Sequence, residues 1–365
     1  MSRFLDKRYR RLAPYTPGEQ PQDRSYVKLN TNESPFPPSP AVIAALGREE
    51  TEKLNLYSDP TAGVLRRAIA ERYTKFLASK GLPGVTERNV FAGNGSDEVL
   101  AFAFAAFCGK KRGVAFPEIG YGFYPVFAEF FSLPVRTVPM RADLSVDAAG
   151  FKGLKETVII ANPNAQTGIY LPLSEIKTLL SEDKDRLVIV DEAYCDFGGE
   201  SAVTLLNEHD NLVVVQTMSK SRQLAGGRVG FAIASEELIL DLELMKFSFN
   251  PYNLNRLSIV AGAAAMADED YFLSATAAVV AERERLKGEL SALGFSLTPS
   301  LANFLLARKE GIGGEELYLA LKARGVLVRW LGGALSDYVR ITVGSREQCD
   351  ALLAAVRDVL KEKGI

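Results

Sequence analysis

A lysine, a serine and an arginine lie close together where the chain reverses between two apolar runs. Residues 212–215 predict a buried strand, and residues 229–234 predict a second one. Lys220 follows the first run, where loss of hydration would lower the pKa of its amine and leave it nucleophilic, as a Schiff-base lysine requires. Ser219 and Arg228 flank the lysine and could hold a phosphate. The alternative interpretation is an ordinary solvated loop.

Three further polar segments each follow a short apolar run, namely residues 95–96, 162–168 and 191–194. Because ligands of open α/β sheets bind at the carboxyl ends of the strands, we expect these segments to converge with Lys220. Asp191 should be partly buried, and a protonated pyridine nitrogen or a structural salt bridge would supply the cationic partner that it needs. The turn at residues 95–96 opens a predicted helix, whose free backbone N–H groups could bind an anion or form a plain N-cap.

Apolar runs that alternate with amphipathic segments predict an α/β fold with a mostly parallel sheet, followed by a smaller α+β domain. Arg228 precedes its strand, so if it shares a site with Lys220, that strand must run antiparallel to the strand before it. The predicted strands are residues 89–92, 113–116, 157–161, 187–190, 212–215, 229–234, 295–308, 327–330 and 338–343. The predicted helices are residues 40–48, 62–80, 96–108, 173–180, 273–293, 314–324 and 346–363.

The same patterns predict three parts of the chain. Residues 1–48 are rich in proline and polar groups and predict an arm that packs with the small domain, with a disordered leader as the alternative. Residues 49–264 form the predicted large, ligand-binding domain. Residues 265–365 form the predicted small C-terminal domain.

Composition excludes several classes of function. The 365 residues carry a formal net charge of −2 with acids and bases interspersed, which argues against nucleic-acid partners and against a basic membrane-surface patch. The three cysteines have no metal-ligand spacing, so we expect no metal site and a cytoplasmic, reducing location. The single histidine, His209, argues against a Ser-His-Asp triad and against a histidine metal site, and it leaves proton transfer to Lys, Tyr, Asp or Glu.

The spacing of the polar segments resembles a known signature. Asp191-x-x-Tyr194, then Ser219-Lys220, then Leu224-Ala225-Gly226-x-Arg228-x-Gly230 is similar to the pattern of fold-type-I aminotransferases that depend on pyridoxal 5'-phosphate (PLP). The resemblance covers nearly the whole chain and, within that superfamily, is to the histidinol-phosphate aminotransferases. Its other segments are residues 14–18, 28–35, 57–60, 93–98, 121–124, 302–304, 325–329 and 339–344.

The resemblance implies a cofactor, PLP, and a role for each residue near it. Lys220 would form the Schiff base and later move the proton, and Asp191 would pair with the pyridine nitrogen. Tyr194 would hydrogen-bond the ring hydroxyl, and Tyr121 would stack on the ring. The cofactor phosphate would be held by Gly95, Ser96, Ser219 and Arg228, with Asp97 in the same binding set.

The resemblance also implies contacts beyond one subunit's cofactor. Tyr57 would reach the PLP phosphate of the neighbouring subunit, which makes the protein a homodimer with shared active sites. Arg340 would bind the anionic end of the substrate, and Tyr15, Asn32 and Arg329 would lie nearby.

One segment departs from the family pattern. The family reads Asn-Pro-Asn-Asn-Pro-Thr-Gly, whereas residues 162–168 read Asn-Pro-Asn-Ala-Gln-Thr-Gly. Ala165 therefore aligns with the asparagine that contacts the ring hydroxyl. Asn164 is predicted to make this contact if the turn shifts, and otherwise Tyr194 makes it alone.

The predicted reaction is transamination of histidinol phosphate with 2-oxoglutarate, giving imidazole acetol phosphate and glutamate, a step of histidine biosynthesis. Two arginines on predicted strands, Arg329 and Arg340, favour a phosphorylated substrate, because a phosphate wants more donors than a carboxylate. Threonine-phosphate decarboxylase and aromatic amino acid aminotransferase remain alternatives. A PLP-fold ligand sensor is disfavoured because no basic helix-turn-helix segment fits in the chain.

Overall fold

The fold is described by a computed structural model, which covers residues 2–10 and 12–365. Within these residues the chain forms eleven α-helices and thirteen strands. The helices are α1 (Pro40–Ala45), α2 (Arg48–Thr51), α3 (Gly63–Ser79), α4 (Gly95–Phe107), α5 (Phe123–Phe130), α6 (Leu173–Glu182), α7 (Glu236–Phe249), α8 (Arg256–Ala267), α9 (Glu269–Ala292), α10 (Gly314–Ala323) and α11 (Arg346–Lys363). The strands are β1 (Val27–Lys28), β2 (Val90–Asn94), β3 (Val114–Pro117), β4 (Val135–Val138), β5 (Thr157–Ala161), β6 (Val188–Asp191), β7 (Leu212–Thr217), β8 (Val229–Ala234), β9 (Phe295–Leu297), β10 (Phe304–Lys309), β11 (Val326–Leu327), β12 (Arg329–Trp330) and β13 (Val339–Thr342).

Seven strands form the main sheet in the order β2-β8-β7-β6-β5-β3-β4. Every residue of β5, β6, β7 and β8 is buried, as continuous apolar runs predict for strands covered on both faces. All neighbouring pairs are parallel except the two that involve β8, which runs antiparallel to β2 and to β7. The predicted α/β class and the predicted antiparallel return strand are therefore confirmed.

Alternate side chains of the central strands enter two separate hydrophobic cores. Val158 and Ile160 of β5 pack on one face of the sheet with residues of α3, α6 and α8. Ile159 and Ala161 pack on the other face with residues of α4, α5 and α7. Helices on both faces leave the carboxyl ends of the strands as the accessible edge of the sheet, which positions the site.

A smaller antiparallel sheet, ordered β12-β13-β10-β9, lies in the C-terminal part of the chain and shares a third core with α10 and α11. The N-terminal arm joins it, because β1 pairs in parallel with β11 and Leu29 is buried in the same core. None of the helices in the described parts of the chain has the length and apolar character that crossing a bilayer requires.

Two predicted strands are wrong as single elements. Residues 295–308 form two antiparallel strands, β9 and β10, because Pro299 lies between them and has no N–H to donate to a ladder. Residues 327–330 are divided between β11 and β12, which pair in different sheets. The segment 123–138, for which no element was predicted, contains α5 and the edge strand β4.

Candidate active site

A cavity of about 390 Å³ lies where the carboxyl ends of β2, β6 and β7 meet the amino end of β8. The arm and β13 close it from the side of the smaller sheet. All predicted site residues except Gly95, Asn164 and Tyr57 line this cavity. The lining set is Tyr15, Asn32, Ser96, Asp97, Tyr121, Asp191, Tyr194, Ser219, Lys220, Arg228, Arg329 and Arg340.

Lys220 lies three residues beyond the end of β7, with its amine inside the cavity. Its Nζ donates a hydrogen bond to the backbone carbonyl of Thr31 at 3.1 Å. Enclosure by the protein, assisted by the positive charge of Arg340, lowers the pKa of the amine to about 8. Among the described residues no carboxylate forms an ion pair with it. The amine is thus neutral in a larger fraction of molecules near neutral pH than an exposed lysine would be.

Asp191 ends β6 and is only 3% exposed. Its carboxylate accepts hydrogen bonds from the Tyr124 hydroxyl at 2.8 Å and from the Ala193 N–H at 3.3 Å. Burial raises the pKa of this carboxyl group to about 6, against the opposing effect of the two donors. Within residues 2–10 and 12–365 no cation pairs with it, so a positively charged ligand atom would relieve a real electrostatic cost.

The start of α4 provides an anion-binding corner. The helix begins at Gly95, directly after β2, and its first N–H groups have no intrahelical partner. Gly95 has a φ of +77°, which favours glycine, and a Cβ there would lie 2.3 Å from Nη2 of Arg228 and would displace the guanidinium from this corner. Arg228 is also tied to Asp97, at 3.4 Å, while the hydroxyl groups of Ser96 and Ser219 line the same corner.

Aromatic rings form the walls of the cavity. The Tyr121 hydroxyl donates to Asp97 at 2.7 Å, which fixes the ring beside the anion-binding corner. Tyr15, on the arm, stacks on Phe123 with ring centroids 4.3 Å apart and lies 6.2 Å from the ring of Tyr121. A flat ligand ring could lie along these faces.

Asn32 connects the arm to both sides of the cavity. Its Nδ2 donates to the Tyr194 hydroxyl at 3.0 Å, and its Oδ1 accepts from the Thr342 hydroxyl at 3.0 Å. The Asn303 side chain in turn donates to the Asn32 carbonyl at 3.1 Å. Tyr194 is therefore oriented by a residue of the arm that β13 itself holds in place.

The two predicted substrate arginines have different surroundings. Arg329 donates to the carbonyls of Thr16 and Pro17 at 2.9 and 3.1 Å, so much of its hydrogen-bonding capacity fixes the arm. Arg340 donates from Nη1 alone, and its buried Nε has no partner among the described residues. Arg340 is thus the arginine with donors left for a ligand.

Two of the predicted site residues, Asn164 and Tyr57, lie outside the cavity of this chain. Asn164 does not line the cavity: its Nδ2 donates to the Ile119 carbonyl at 2.7 Å, and its Oδ1 accepts from the N–H groups of Gln166 and Thr167. Its amide therefore holds the turn. Tyr57 lies outside the cavity, 80% exposed, and stacks on Tyr252 at 4.5 Å.

Three contributors to the cavity were not assigned a site role from the sequence. Tyr124 holds Asp191, and the pattern Tyr121-x-x-Tyr124 carried the signal, since the rings of the two tyrosines lie 5.7 Å apart. Gln166 lines the cavity and contacts Arg340, in the one segment that departs from the family pattern. The Thr31 carbonyl is a backbone group, which no side-chain pattern reveals.

Comparison with known proteins identifies the family of this chain. The family model described as Aminotransferase class I and II matches residues 24–356. The chain is 48% identical to histidinol-phosphate aminotransferase 2 of Gluconobacter oxydans, over 100% of both sequences. It is 44% identical to the histidinol-phosphate aminotransferase of Clostridium acetobutylicum, over 99% of this chain and 100% of the relative.

A solved structure shares the fold. It is the histidinol-phosphate aminotransferase of Sinorhizobium meliloti in complex with pyridoxal-5'-phosphate, with a TM-score of 0.81, 23% identity, and coverage of 93% of this chain and 92% of that one. The match of the family model over most of the sequence and the identity of 44–48% to full-length relatives mean that the chain belongs to the class I and II aminotransferase family.

Proposed function

We propose that this protein is a PLP-dependent aminotransferase that transfers the amino group of histidinol phosphate to 2-oxoglutarate in histidine biosynthesis. One observation carries the proposal: Asp191 and Lys220 share one cavity, and among the described residues the carboxylate has no cationic partner and the lysine has no carboxylate partner. A pyridinium ring that also bears an aldehyde would satisfy both. The anion-binding corner at Gly95 and Arg228 fits the phosphate of the same cofactor.

The protein's own groups then divide the chemistry. When bound, PLP supplies an electron sink that acidifies the carbon bearing the amino group. Lys220 holds and moves the proton at Nζ, which a pKa near 8 suits for general acid–base work near neutral pH. Asp191, oriented by Tyr124, keeps a cationic ring nitrogen protonated. Tyr194 and Tyr121, which line the cavity, would orient the ring of the bound cofactor.

The substrate assignment rests on Arg340 and on the relatives. The relatives at 44–48% identity, matched over their full length, are named for histidinol phosphate. The Nε and Nη2 of a guanidinium form a fork that binds a phosphate with two parallel hydrogen bonds, and at Arg340 this edge has no partner among the described residues. Tyr15 and Arg329 lie close enough to add further donors.

A substrate panel tests the proposed function. We expect kcat/KM to be far higher for histidinol phosphate than for phenylalanine, with 2-oxoglutarate as acceptor, and Arg340→Ala to remove most of that preference. Comparable values for phenylalanine would indicate an aromatic aminotransferase. Release of carbon dioxide from threonine phosphate would indicate the decarboxylase.

We further propose a homodimer in which Tyr57 completes the partner's site. Exposed apolar side chains support it: Leu240, Leu244 and Phe247 lie on one face of α7, and Tyr252, which follows the helix, stacks on Tyr57. We call these five residues the α7 patch. Apolar surfaces of this kind mark protein interfaces. A second copy of this chain is the proposed partner, because shared sites require a two-fold arrangement.

Two smaller expectations accompany the dimer. The division into an arm (1–48), a large domain (49–264) and a small domain (265–365) is supported by the pairing of β1 with β11 and by the separate third core. A cytoplasmic location is supported by three buried cysteines, none of which forms a disulfide within the described residues.

A further inference from the structure

Arg340 is held by one of its two terminal nitrogens only. Nη1 donates to the Ala165 carbonyl at 2.9 Å and to Oε1 of Gln166 at 2.9 Å. The guanidinium also lies 5.1 Å from the centre of the Phe304 ring. Both hydrogens of Nη1 are therefore used, while Nε is buried without a partner among the described residues. This arrangement leaves Nη2, and not Nη1, as the terminal nitrogen with free donors for an incoming anion.

Gln166 is fixed at both ends of its side-chain amide. Its Nε2 donates to the Gly120 carbonyl at 3.2 Å, so its Oε1 must be the atom that faces Arg340. Its backbone N–H donates to Asn164 Oδ1 at 2.9 Å, which anchors the turn beneath it. The glutamine thus offers a positioned and uncharged acceptor.

Because Gln166 is uncharged, its contact with Arg340 leaves the positive charge of the guanidinium available to a ligand. A carboxylate at this position would fix Arg340 equally well but would neutralise it, and the site would lose attraction for anions. A proline, which the family pattern has here, offers no side-chain acceptor. Glutamine orients the arginine and leaves its charge for the ligand.

We propose that Gln166 is a positioning residue that fixes the orientation of Arg340 and thereby sets the affinity and selectivity of this site for the anionic group of the substrate. The proposal rests on the proposed function, since it concerns the same site. It also accounts for the departure of residues 162–168 from the family pattern: the asparagine that the pattern places at 165 is absent, and the neighbouring position carries a polar side chain that acts on the substrate arginine instead of on the cofactor.

The test compares Gln166→Met, which keeps the length of the side chain but removes the acceptor, with the wild-type holoenzyme. We expect KM for histidinol phosphate and the inhibition constant of inorganic phosphate both to rise about tenfold, as loss of a hydrogen bond to a charged group implies, with kcat and the cofactor absorbance within about twofold. Histidinol, which lacks the phosphate, should react equally with both forms. A purely structural role for Gln166 would alter kcat or cofactor binding as well.

Two further variants make the test specific. Gln166→Glu should weaken phosphate inhibition more than Gln166→Met does, since it neutralises Arg340 while keeping an acceptor. In an Arg340→Met background, Gln166→Met should have no further effect on KM, because the glutamine acts through the arginine.

An unchanged KM in Gln166→Met, or losses that simply add to that of Arg340→Met, would overturn the proposal. If the wild type prefers an anionic donor other than histidinol phosphate, the proposed function fails, yet the KM of that donor must still rise in Gln166→Met. A wild type with no preference for any anionic donor over its uncharged counterpart would overturn both.

Discussion

Lys220 and Asp191 share one cavity, and each is shifted toward its neutral form by the same cause, removal from water. The pKa of the lysine falls to about 8 and that of the aspartic acid rises to about 6. Neither group has an oppositely charged partner among the described residues. A bound ligand could supply the missing partner of each group. Perturbed pKa values of this kind cluster at functional sites.

The lysine predicts how the apoprotein takes up its cofactor. Only the neutral amine attacks an aldehyde, so the rate of reconstitution with PLP should rise with pH and level off above about 8, where an exposed lysine would continue to gain rate toward about 10. Absorbance of the bound cofactor in a stopped-flow experiment measures this rate. Lys220→Ala should develop no such absorbance and almost no turnover, and a variant that keeps both would disprove the assignment.

Asp191→Asn separates catalysis from cofactor binding. Without a carboxylate, a ring nitrogen loses its proton and the electron sink weakens, so we expect turnover to fall by about two orders of magnitude or more while PLP stays bound. Steady-state rates and the cofactor absorbance of the purified variant test this. Near-normal turnover would exclude the electron-sink role.

The same substitution should stabilise the apoprotein. Because burial raises the pKa of the folded state above the ordinary value of 3.8, the folded chain binds more protons than the unfolded chain between about 4 and 6, and ionisation of Asp191 costs stability above that window. Asn carries no such cost. The free energy of unfolding of the apo variant should therefore exceed that of the wild type at pH 7, and the difference should shrink as the pH falls from about 6 to about 4.

At the scale of elements, the arm links the smaller sheet to the cavity. β1 pairs with β11, Arg329 holds the carbonyls of Thr16 and Pro17, and Thr31 meets Lys220. The segment therefore behaves as a wall whose position depends on the C-terminal strands. It is neither a free leader nor part of the main sheet.

Arg329→Met should loosen this wall. Loss of its two hydrogen bonds to the arm should raise hydrogen exchange in residues 12–18 and raise KM for the amino donor several-fold, with the cofactor absorbance unchanged. Lys322→Met is the matched control, because Lys322 binds the arm through Glu19 but does not line the cavity. Equal KM values in the two variants would argue that Arg329 has no role beside the ligand.

Elements with a clear apolar period were the predictable ones. The strands at residues 157–161 and 229–234 and the helix at residues 346–363 have the bounds that the sequence indicates. β4 was missed because it lies at the edge of the sheet with three of its four residues exposed, so it shows no apolar run. α5 was missed because its sequence, Phe-Tyr-Pro-Val-Phe-Ala-Glu-Phe, is short, has a single charged residue and contains a proline in its first turn.

For the site, side chains that come directly after strands were predictable, while contacts that depend on the fold were not. Lys220, Asp191 and Ser219 follow apolar runs, and the rule for open sheets brings them together. The hydrogen bond from Gln166 to Arg340 joins positions 174 residues apart, so no local pattern encodes it. The roles predicted toward PLP stay predictions.

At the scale of the whole molecule, the α7 patch predicts assembly. Leu244 is 60% exposed on this surface, and an aspartate there would place a charge in an apolar interface. Leu244→Asp should therefore shift the protein toward monomers in analytical ultracentrifugation and reduce activity, since Tyr57 could no longer reach a partner's cavity.

Leu319→Asp is the control for that experiment. Leu319 is 55% exposed on α10, in the part of the chain that carries the smaller sheet, and it is not a member of the α7 patch. It should leave the mass and the activity unchanged. A wild-type protein that sediments as an active monomer would contradict the shared site.

The reversal at β8 limits how this chain can change in length. Thr217 at the end of β7 pairs with Gly230 near the start of β8, and the eleven residues between these strands carry both Lys220 and Arg228. An inserted residue would leave the ladder intact and yet displace one cation relative to the other, so such a chain would fold but lose its cofactor. Natural insertions and deletions should therefore be rare between β7 and β8 and more frequent in surface loops such as residues 139–147. The length of the β7–β8 loop is thus constrained by function in the same way as the identity of its residues.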